Sequence, residues 1–406
     1  MAVGNYPFPK MSPVKGVRLG TASAGIKTPG RKDLMILEVP KGATVAGVFT
    51  KNAFCAAPVT VCKEHLAEIN TRYLITNSGN ANACTGDQGY QDAQETCSRI
   101  AELTGVDSRQ VLPFSTGVIG QALPMDRLLG GIPEALSNLT ESGWQSAAEA
   151  IMTTDTRPKG AAAEFEYQGE TIRVNGIAKG SGMIKPNMAT MLGYIATDAA
   201  VSQEVLDQLS REAADKSFNR ITVDGDTSTN DSCILVASAK TELPTITEAE
   251  GEYYSLLRDA VFAVYKLLAL NIVADGEGAT KLVTVQVDAA VDTAEALKVA
   301  YSVAQSPLVK TALFASDPNW GRIVAAIGYA GVENLDDKPI KVWLDDVLIV
   351  ENGGCAASYS EEAGQEVMDQ EDILIRIDLG RGEVSETVYT TDLSHDYIKI
   401  NAEYRT

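Results

Sequence analysis

The run Lys179-Gly180-Ser181-Gly182-Met183-Ile184-Lys185-Pro186-Asn187-Met188-Ala189-Thr190-Met191-Leu192-Gly193-Tyr194 lies near the middle of a chain of 406 residues. A loop rich in Gly, Pro and Asn, with two lysines, delivers a threonine straight into an apolar stretch. Such a segment is well suited to presenting a bond that cleaves itself. Breaking the Ala189–Thr190 bond would leave Thr190 with a free α-amine beside its own hydroxyl, so that nucleophile and base sit in one residue. The plainer reading is a glycine-rich loop that leads into a buried strand.

Acyl chemistry here has little else to use as a base. The chain holds only two histidines, His65 and His395, and neither stands in a recognisable triad or HExxH context. A His-based relay needs one of them beside a nucleophile, and a His-rich zinc site needs several. Structural or surface roles are therefore expected for both.

Other segments are weaker taken one at a time. Phe114-Ser115-Thr116-Gly117-Val118-Ile119-Gly120 reads as a small-residue turn after an apolar run. Its Thr116 hydroxyl and Gly117 N–H could form a two-donor oxyanion hole. Asp224-Gly225-Asp226-Thr227-Ser228-Thr229-Asn230-Asp231 follows a β run, and its carboxylates miss the calcium-loop register, so a polar turn is expected there and no metal site. Asp275-Gly276-Glu277-Gly278 sets a carboxylate between two glycines, either aimed at a cationic ligand or simply solvated in a turn. Asp317-Pro318-Asn319-Trp320-Gly321-Arg322 reads as a corner with Trp320 buried. Gly180-Ser181-Gly182 fails both the dinucleotide and the P-loop patterns, since position 185 is Lys and no Gly-Lys-Ser/Thr follows at the required offset. The C-terminal Asn401-Ala402-Glu403-Tyr404-Arg405-Thr406 is too compact for a frayed tail.

Elements that could hold these residues alternate along the chain. Short buried strands are expected over 33–39, 43–50 and 73–76, the last running into the turn-rich Asn77-Ser78-Gly79-Asn80-Ala81-Asn82. Trp144, Ala147, Ala148 and Ile151 recur at helical spacing, predicting a helix that ends near Thr153. Val205, Leu206, Leu209 and Ala213 mark another, capped by Ser202, and Tyr253 to Leu268 a longer one. Ser306-Pro307 opens a helix, Val283/Val285/Val287 and Ile373/Ile375/Ile377 alternate as strands, and Asp345-Asp346 suggests a hairpin. Many short, antiparallel-looking strands with helices outside predict an α/β sandwich over a doubly wound parallel sheet.

Composition sets outer bounds. Length suggests two to three domains, and 45% apolar residues are ample for a large core. A formal charge of −20 disfavours nucleic acid and anionic membranes as partners. Six cysteines without a CxxC pair read as reduced, mostly buried thiols. Secretory-signal character is missing from the first residues, and Val261 to Ala274, the longest apolar window, is interrupted by Lys266. A soluble, cytoplasmic protein is expected.

Eight separated segments, in register from end to end, resemble the bifunctional arginine-biosynthesis family of glutamate (ornithine) N-acetyltransferases. They are Phe49-Thr50-Lys51-Asn52, Asn77 to Asn82, Ser115-Thr116-Gly117, Lys179 to Leu192, the Asp224 loop, Asp275 to Gly278, Asp317 to Arg322 and Asn401 to Thr406. The resemblance implies a layered α/β/β/α sandwich shared with self-cleaving aminopeptidases. It implies cleavage between Ala189 and Thr190 into an alpha chain, 1–189, and a beta chain, 190–406, forming one intertwined catalytic unit in an assembly of two alpha and two beta chains. Thr190 would take acetyl from N-acetylornithine and pass it to glutamate, with Thr116 and Gly117 as oxyanion donors. Thr153, Lys179, Thr190, Glu277, Asn401 and Thr406 match substrate-holding positions. In charge, Lys179 suits a carboxylate and Glu277 the distal ammonium of ornithine. No cofactor is implied, and acetyl-CoA is a candidate co-substrate. The rival readings are an N-terminal-nucleophile amidohydrolase or aminopeptidase of the same fold, and a non-catalytic small-molecule binder.

Overall fold

The computed structural model describes residues 2–185 and 191–404. It falls into two compact units, a larger one of Pro7–Asn219 and Thr227–Ile272, and a smaller one of Met1–Tyr6, Arg220–Asp226 and Val273–Thr406.

The larger unit begins with β1 (Arg18–Ala22), β2 (Leu34–Glu38), β3 (Thr44–Phe49), α1 (Ala57–Glu68), β4 (Tyr73–Asn80), α2 (Gly86–Thr104) and β5 (Val111–Val118). There follow α3 (Met125–Ser137), α4 (Trp144–Ala150), β6 (Lys159–Tyr167), β7 (Glu170–Lys179), β8 (Leu192–Thr197), α5 (Gln203–Asp215), β9 (Ser232–Ala237) and α6 (Gly251–Ala274). One sheet has the order β1-β2-β4-β5 and the other β3-β9-β8-β7-β6.

Their facing sides form one core, in which Met35, Leu37, Leu74, Leu112 and Phe114 meet Ile177, Leu192, Tyr194, Ile234 and Val236. Tyr194 fixes the two sheets against each other. Its ring meets Phe114 edge-on at 5.4 Å and its hydroxyl shares a 2.6 Å hydrogen bond with Thr76, so the buried polar tip is satisfied. On the outer side of the first sheet, Leu34, Ile36 and Ile75 pack against Cys97 and Ile100 of α2 and Leu128 and Ile132 of α3. On the outer side of the second, α6 lies so close that a Cβ on Gly176 would meet Val264 Cγ1 at 2.8 Å. Tyr253 of α6 also stacks on Tyr167 with centroids 4.7 Å apart. The layers are α/β/β/α, as expected.

Strands from both sides of position 189 interleave in the second sheet. β3, β6 and β7 precede it in sequence, β8 and β9 follow it, and β8 pairs with both β7 and β9.

The smaller unit contains β10 (Leu282–Ala290), α7 (Thr293–Ala304), α8 (Pro307–Phe314), α9 (Trp320–Gly328), β11 (Lys341–Leu344), β12 (Val347–Glu351) and β13 (Gly354–Cys355). It ends with α10 (Glu361–Met368), β14 (Asp372–Asp378), β15 (Val384–Thr391) and α11 (His395–Ala402). Its six-stranded sheet runs β13-β12-β11-β14-β10-β15. Val283, Val285 and Val287 of β10 and Ile373, Ile375 and Ile377 of β14 face a core closed by Val299 and Val303 of α7, Val309 of α8 and Ile323 of α9.

Local signals land where they were read. Ser202 caps α5 by accepting from Val205 N, Ser306 caps α8 with Pro307 at its start, and Asp345, at φ 47°, turns the β11–β12 hairpin. Other expectations need correcting. The sheets are mixed, since β4–β5, β8–β9 and β10–β14 pair in parallel. Neither Asn77–Asn80 nor Phe114–Val118 is a turn, because both continue as strand. Their polar side chains are buried and bonded: Ser115 Oγ donates to Asn77 Oδ1 at 2.6 Å, Asn77 Nδ2 to Asn80 O at 2.9 Å, and Ser78 Oγ to Ala150 O at 2.7 Å. A polar ladder therefore replaces the apolar pattern that normally announces a strand. The α4 helix stops at Ala150, short of Thr153.

Cys62, Cys97 and Cys233 are buried, Cys55 is half-buried, and Cys84 and Cys355 are exposed, so half the thiols are buried instead of most. Among the described residues no helix is long and apolar enough to cross a membrane.

Candidate active site

The carboxyl end of β7 and the start of β8 frame the loop that carries the Ala189–Thr190 bond. Ala189 and Thr190 lie outside the described residues, as does Thr406. On the described side, Lys179 ends β7 opposite Leu192 of β8, and Leu192 pairs in turn with Ser232 of β9, whose N–H neighbour contact is to Met191 O at 2.9 Å. The residue after Thr190 is thus held in a parallel ladder. Gly180, at φ 150°, lets the chain turn out of β7 beside Met191, because a Cβ there would lie 3.0 Å from Ile184 Cδ1 and 3.4 Å from Met191 Cβ.

Lys179 is buried, and its Nζ donates to Thr116 Oγ1 at 3.4 Å. Thr116 and Gly117 sit near the end of β5, where β4 and β5 come unusually close. A Cβ on Gly117, at φ 134°, would fall 2.3 Å from the carbonyl carbon of Gly79, so glycine is required there by the neighbouring backbone. Asn230 ties this strand end down, donating from Nδ2 to Ser115 O at 2.9 Å and to Ala81 O at 2.5 Å.

Two carboxyl groups lie near this cluster: Asp155, which carries no motif and was not singled out from sequence, and Asp231, which ends the polar segment read as a turn. Asp155 is buried and accepts three hydrogen bonds: Lys159 Nζ at 2.6 Å and Gly180 N at 2.7 Å on Oδ1, and Thr153 N at 2.9 Å on Oδ2. Burial alone would raise its pKa. The Lys159 and Lys179 cations, with the donors on Asp155, outweigh that and hold the carboxyl well below the usual carboxylate range. Thr153, expected to hold substrate, is thereby bound to the same carboxylate as the residue after Lys179. Arg31 grips the segment from its other side, through Met152 O at 2.7 Å and Thr153 O at 3.2 Å. Asp231 behaves oppositely. Burial pushes its carboxyl well up, despite the Ser228 hydroxyl and the Lys179 charge, and Oδ2 has no hydrogen-bond partner among the described residues. The only local signal for Asp155 was its i,i+4 spacing to Lys159.

The smaller unit brings Glu277 and Asn401 together. Glu277 follows α6 in a tight turn closed by Gly276 N to Val273 O and Ala279 N to Gly276 O, both 2.9 Å. The carboxylate is 8% exposed, so it is no solvated turn residue. Gly278, at φ 68°, allows the start of α11 to seat against this turn, since a Cβ would meet Tyr397 N at 2.5 Å. Ser394, the α11 cap, donates to Gly278 O at 2.6 Å, and from the last turn Asn401 Nδ2 donates to Glu277 Oε2 at 2.7 Å. Asp224 accepts from Tyr397 Oη at 3.2 Å, and burial with the Asp224 charge raises the Tyr397 pKa. No group of His, Cys, Asp and Glu among the described residues could hold a metal ion.

The Asp317–Arg322 corner starts α9, where Trp320 packs partly buried against the core instead of fully inside it, and Arg322 donates to Leu308 O at 2.7 Å. His65 is buried and bonds through Nδ1 to Val111 O at 2.7 Å; His395 begins α11 against the Phe314 ring at 5.4 Å. Both have structural work.

Known proteins match this chain over nearly all its length. The profile of the ArgJ family covers residues 18–406. The arginine biosynthesis bifunctional protein ArgJ of Pseudomonas fluorescens (strain Pf0-1) is 59% identical over 406 residues, all of both chains. Among solved structures, the arginine biosynthesis bifunctional protein of Bacillus halodurans is 35% identical, covering 52% of this chain and 97% of its own, with a TM-score of 0.49. The ornithine acetyltransferase of Mycobacterium tuberculosis, complexed with ornithine, is 36% identical, covering 43% and 94%, with a TM-score of 0.38. The chain belongs to the ArgJ family of arginine biosynthesis bifunctional proteins.

Proposed function

We propose that this chain transfers acetyl from N2-acetylornithine to glutamate through an acetyl-Thr190 enzyme. As an ArgJ family member it is an acyltransferase of arginine biosynthesis. The observation that carries the detailed reading is the 3.4 Å contact of Lys179 Nζ with Thr116 Oγ1, on the strand that leads into the Ala189–Thr190 loop. Because the ammonium donates into the Thr116 oxygen, the hydroxyl proton of Thr116 remains to donate elsewhere, as an oxyanion donor must.

The chemistry starts with maturation. Thr190 Oγ attacks the Ala189 carbonyl carbon, the Ala189–Thr190 C–N bond breaks, and the hydroxyl proton ends on the departing amine. Water then hydrolyses the ester, leaving an Ala189 carboxylate and restoring the Thr190 hydroxyl beside its new amine. In turnover that amine takes the hydroxyl proton while Oγ attacks the acetyl carbonyl. Thr116 Oγ–H and Gly117 N–H stabilise the tetrahedral oxyanion, and ornithine leaves with the proton. The amine of glutamate then takes the acetyl group by the reverse path. Lys179 offers a cation to a substrate carboxylate, and Glu277, oriented by Asn401, offers a charge for a distal ammonium. Thr153 and Thr406 complete the proposed substrate contacts. Acetyl-CoA is a candidate second acetyl donor, two alpha and two beta chains assemble, and the enzyme works in the cytoplasm.

Intact-mass analysis of purified protein tests the reading. Wild type should give two fragments, the second starting at Thr190, while Thr190→Ala should remain one chain. N-acetylornithine alone should add one acetyl mass to the larger fragment, with ornithine released in a burst and then continuously only when glutamate is present. Steady release without glutamate would identify a hydrolase, and cleavage that persists in Thr190→Ala would remove the N-terminal nucleophile altogether.

A further inference from the structure

The loop that leaves β7 is held at more points than a surface connection needs. Asp155 Oδ1 accepts from Gly180 N at 2.7 Å, and the Thr154 hydroxyl shares a 2.7 Å hydrogen bond with the Ser181 hydroxyl. Farther along, Thr227 Oγ1 donates to Lys185 O at 3.0 Å. Between these points Ile184 is 1% exposed, and Met183 takes a left-handed φ of 55°, a conformation that L side chains adopt at a cost. Strain of that kind persists only where surrounding contacts over-determine it. The contacts come from two segments remote in sequence, 153–155 and 227, neither of which is needed to close the β7–β8 connection.

We propose that Thr154, Asp155 and Thr227 are positioning residues for self-cleavage, a clamp that presents the Ala189–Thr190 bond to the Thr190 hydroxyl. This rests on the reading that Thr190 cuts its own amino side. Asp155 acts on two fronts, since its oxygens fix Gly180 at the loop's start and Thr153 beside it. Asparagine cannot replace it: one acceptor oxygen cannot serve the three donors now on the carboxylate, and its NH2 would face an N–H. Thr154 and Thr227 each act through a single hydroxyl, which valine removes at nearly constant shape. A hydroxyl of Oγ attacking its own preceding carbonyl needs a bent loop held near the reactive geometry, and small misplacements of reacting atoms cost large factors in rate.

The test follows conversion of freshly purified precursor by intact mass, together with thermal unfolding and kcat per matured site. Thr154→Val with Thr227→Val should convert about tenfold or more slowly, the combined worth of two neutral hydrogen bonds. Its Tm should stay close to wild type, and its matured fraction should keep its kcat. Asp155→Asn alone removes the carboxylate charge that faces the buried Lys159 ammonium and is expected to fold poorly. Asp155→Asn with Lys159→Met removes both charges, so it should fold and still convert slowly. Folded variants that convert at the wild-type rate would overturn the clamp, as would slow conversion that merely tracks a fall in Tm. Wild type that never converts would instead refute the cleavage reading beneath it.

Discussion

Asn401 Nδ2 stands 2.7 Å from Glu277 Oε2, joining the last turn of α11 to a carboxylate in the turn after α6. The amide also donates to Tyr397 O at 3.0 Å, so its orientation is fixed from within its own helix. Glu277→Gln keeps an oxygen that can accept from Asn401 and removes only the charge. The KM for N-acetylornithine should rise roughly 10- to 100-fold, the worth of a charged hydrogen bond, with a smaller change in kcat. An unchanged KM in steady-state kinetics would make Glu277 a buried turn carboxylate with no substrate to hold.

Removing the Thr116 hydroxyl tests the oxyanion donor. Thr116→Ala should lower kcat by about 10²–10³, with KM little changed. The Lys179 ammonium loses its 3.4 Å acceptor in the same variant, so Thr116→Ser serves as the control that keeps an oxygen in place. Equal kcat for all three proteins would assign Thr116 to the scaffold of β5.

Neither histidine should supply the base. His65 donates through Nδ1 to Val111 O, so His65→Asn can keep that bond, and His395→Gln keeps a polar group at the start of α11. The double variant should retain most of its activity. Its acidic limb should reflect the Thr190 amine, whose reference pKa is about 7.7–8.0, so activity rises with pH and then levels off. Loss of that limb in a folded protein would show that an imidazole is the base.

Local chemistry made part of this molecule legible. Ser202, Ser306-Pro307 and the Asp345 turn each act on backbone within a few residues, so their meaning is fixed by neighbours in sequence. The ladder of Asn77, Ser78 and Ser115 was misread because its partners lie across strands and under α4, and the same residue types usually punctuate turns. Asp155 escaped notice for a related reason. Its role depends on Gly180, 25 residues away, and on a Lys179 charge that nothing near Asp155 announces. In the Lys179–Thr190 run, Lys179 was legible because it ends a strand that pairs with β8 soon after it in sequence, while Ala189 and Thr190 lie outside the described residues.

Lys310 gives a stability prediction independent of catalysis. Its ammonium, on α8, donates to Thr390 Oγ1 at 3.1 Å, to Thr391 Oγ1 at 3.3 Å and to Thr391 O. Burial pushes its pKa down to about 8, with Asp392 and Asp224 pulling the other way. An unfolded lysine titrates near 10.4, so between these values the unfolded chain holds more protons than the folded one. Stability therefore rises with pH across that window; below it both states are charged and the cost of burying the cation is fully present. Between pH 8 and 9.5 wild type should gain roughly 1.5 kcal/mol relative to Lys310→Met, read from urea unfolding at each pH. Parallel stability profiles for the two proteins would show that Lys310 titrates as an ordinary lysine and that its burial carries no proton linkage.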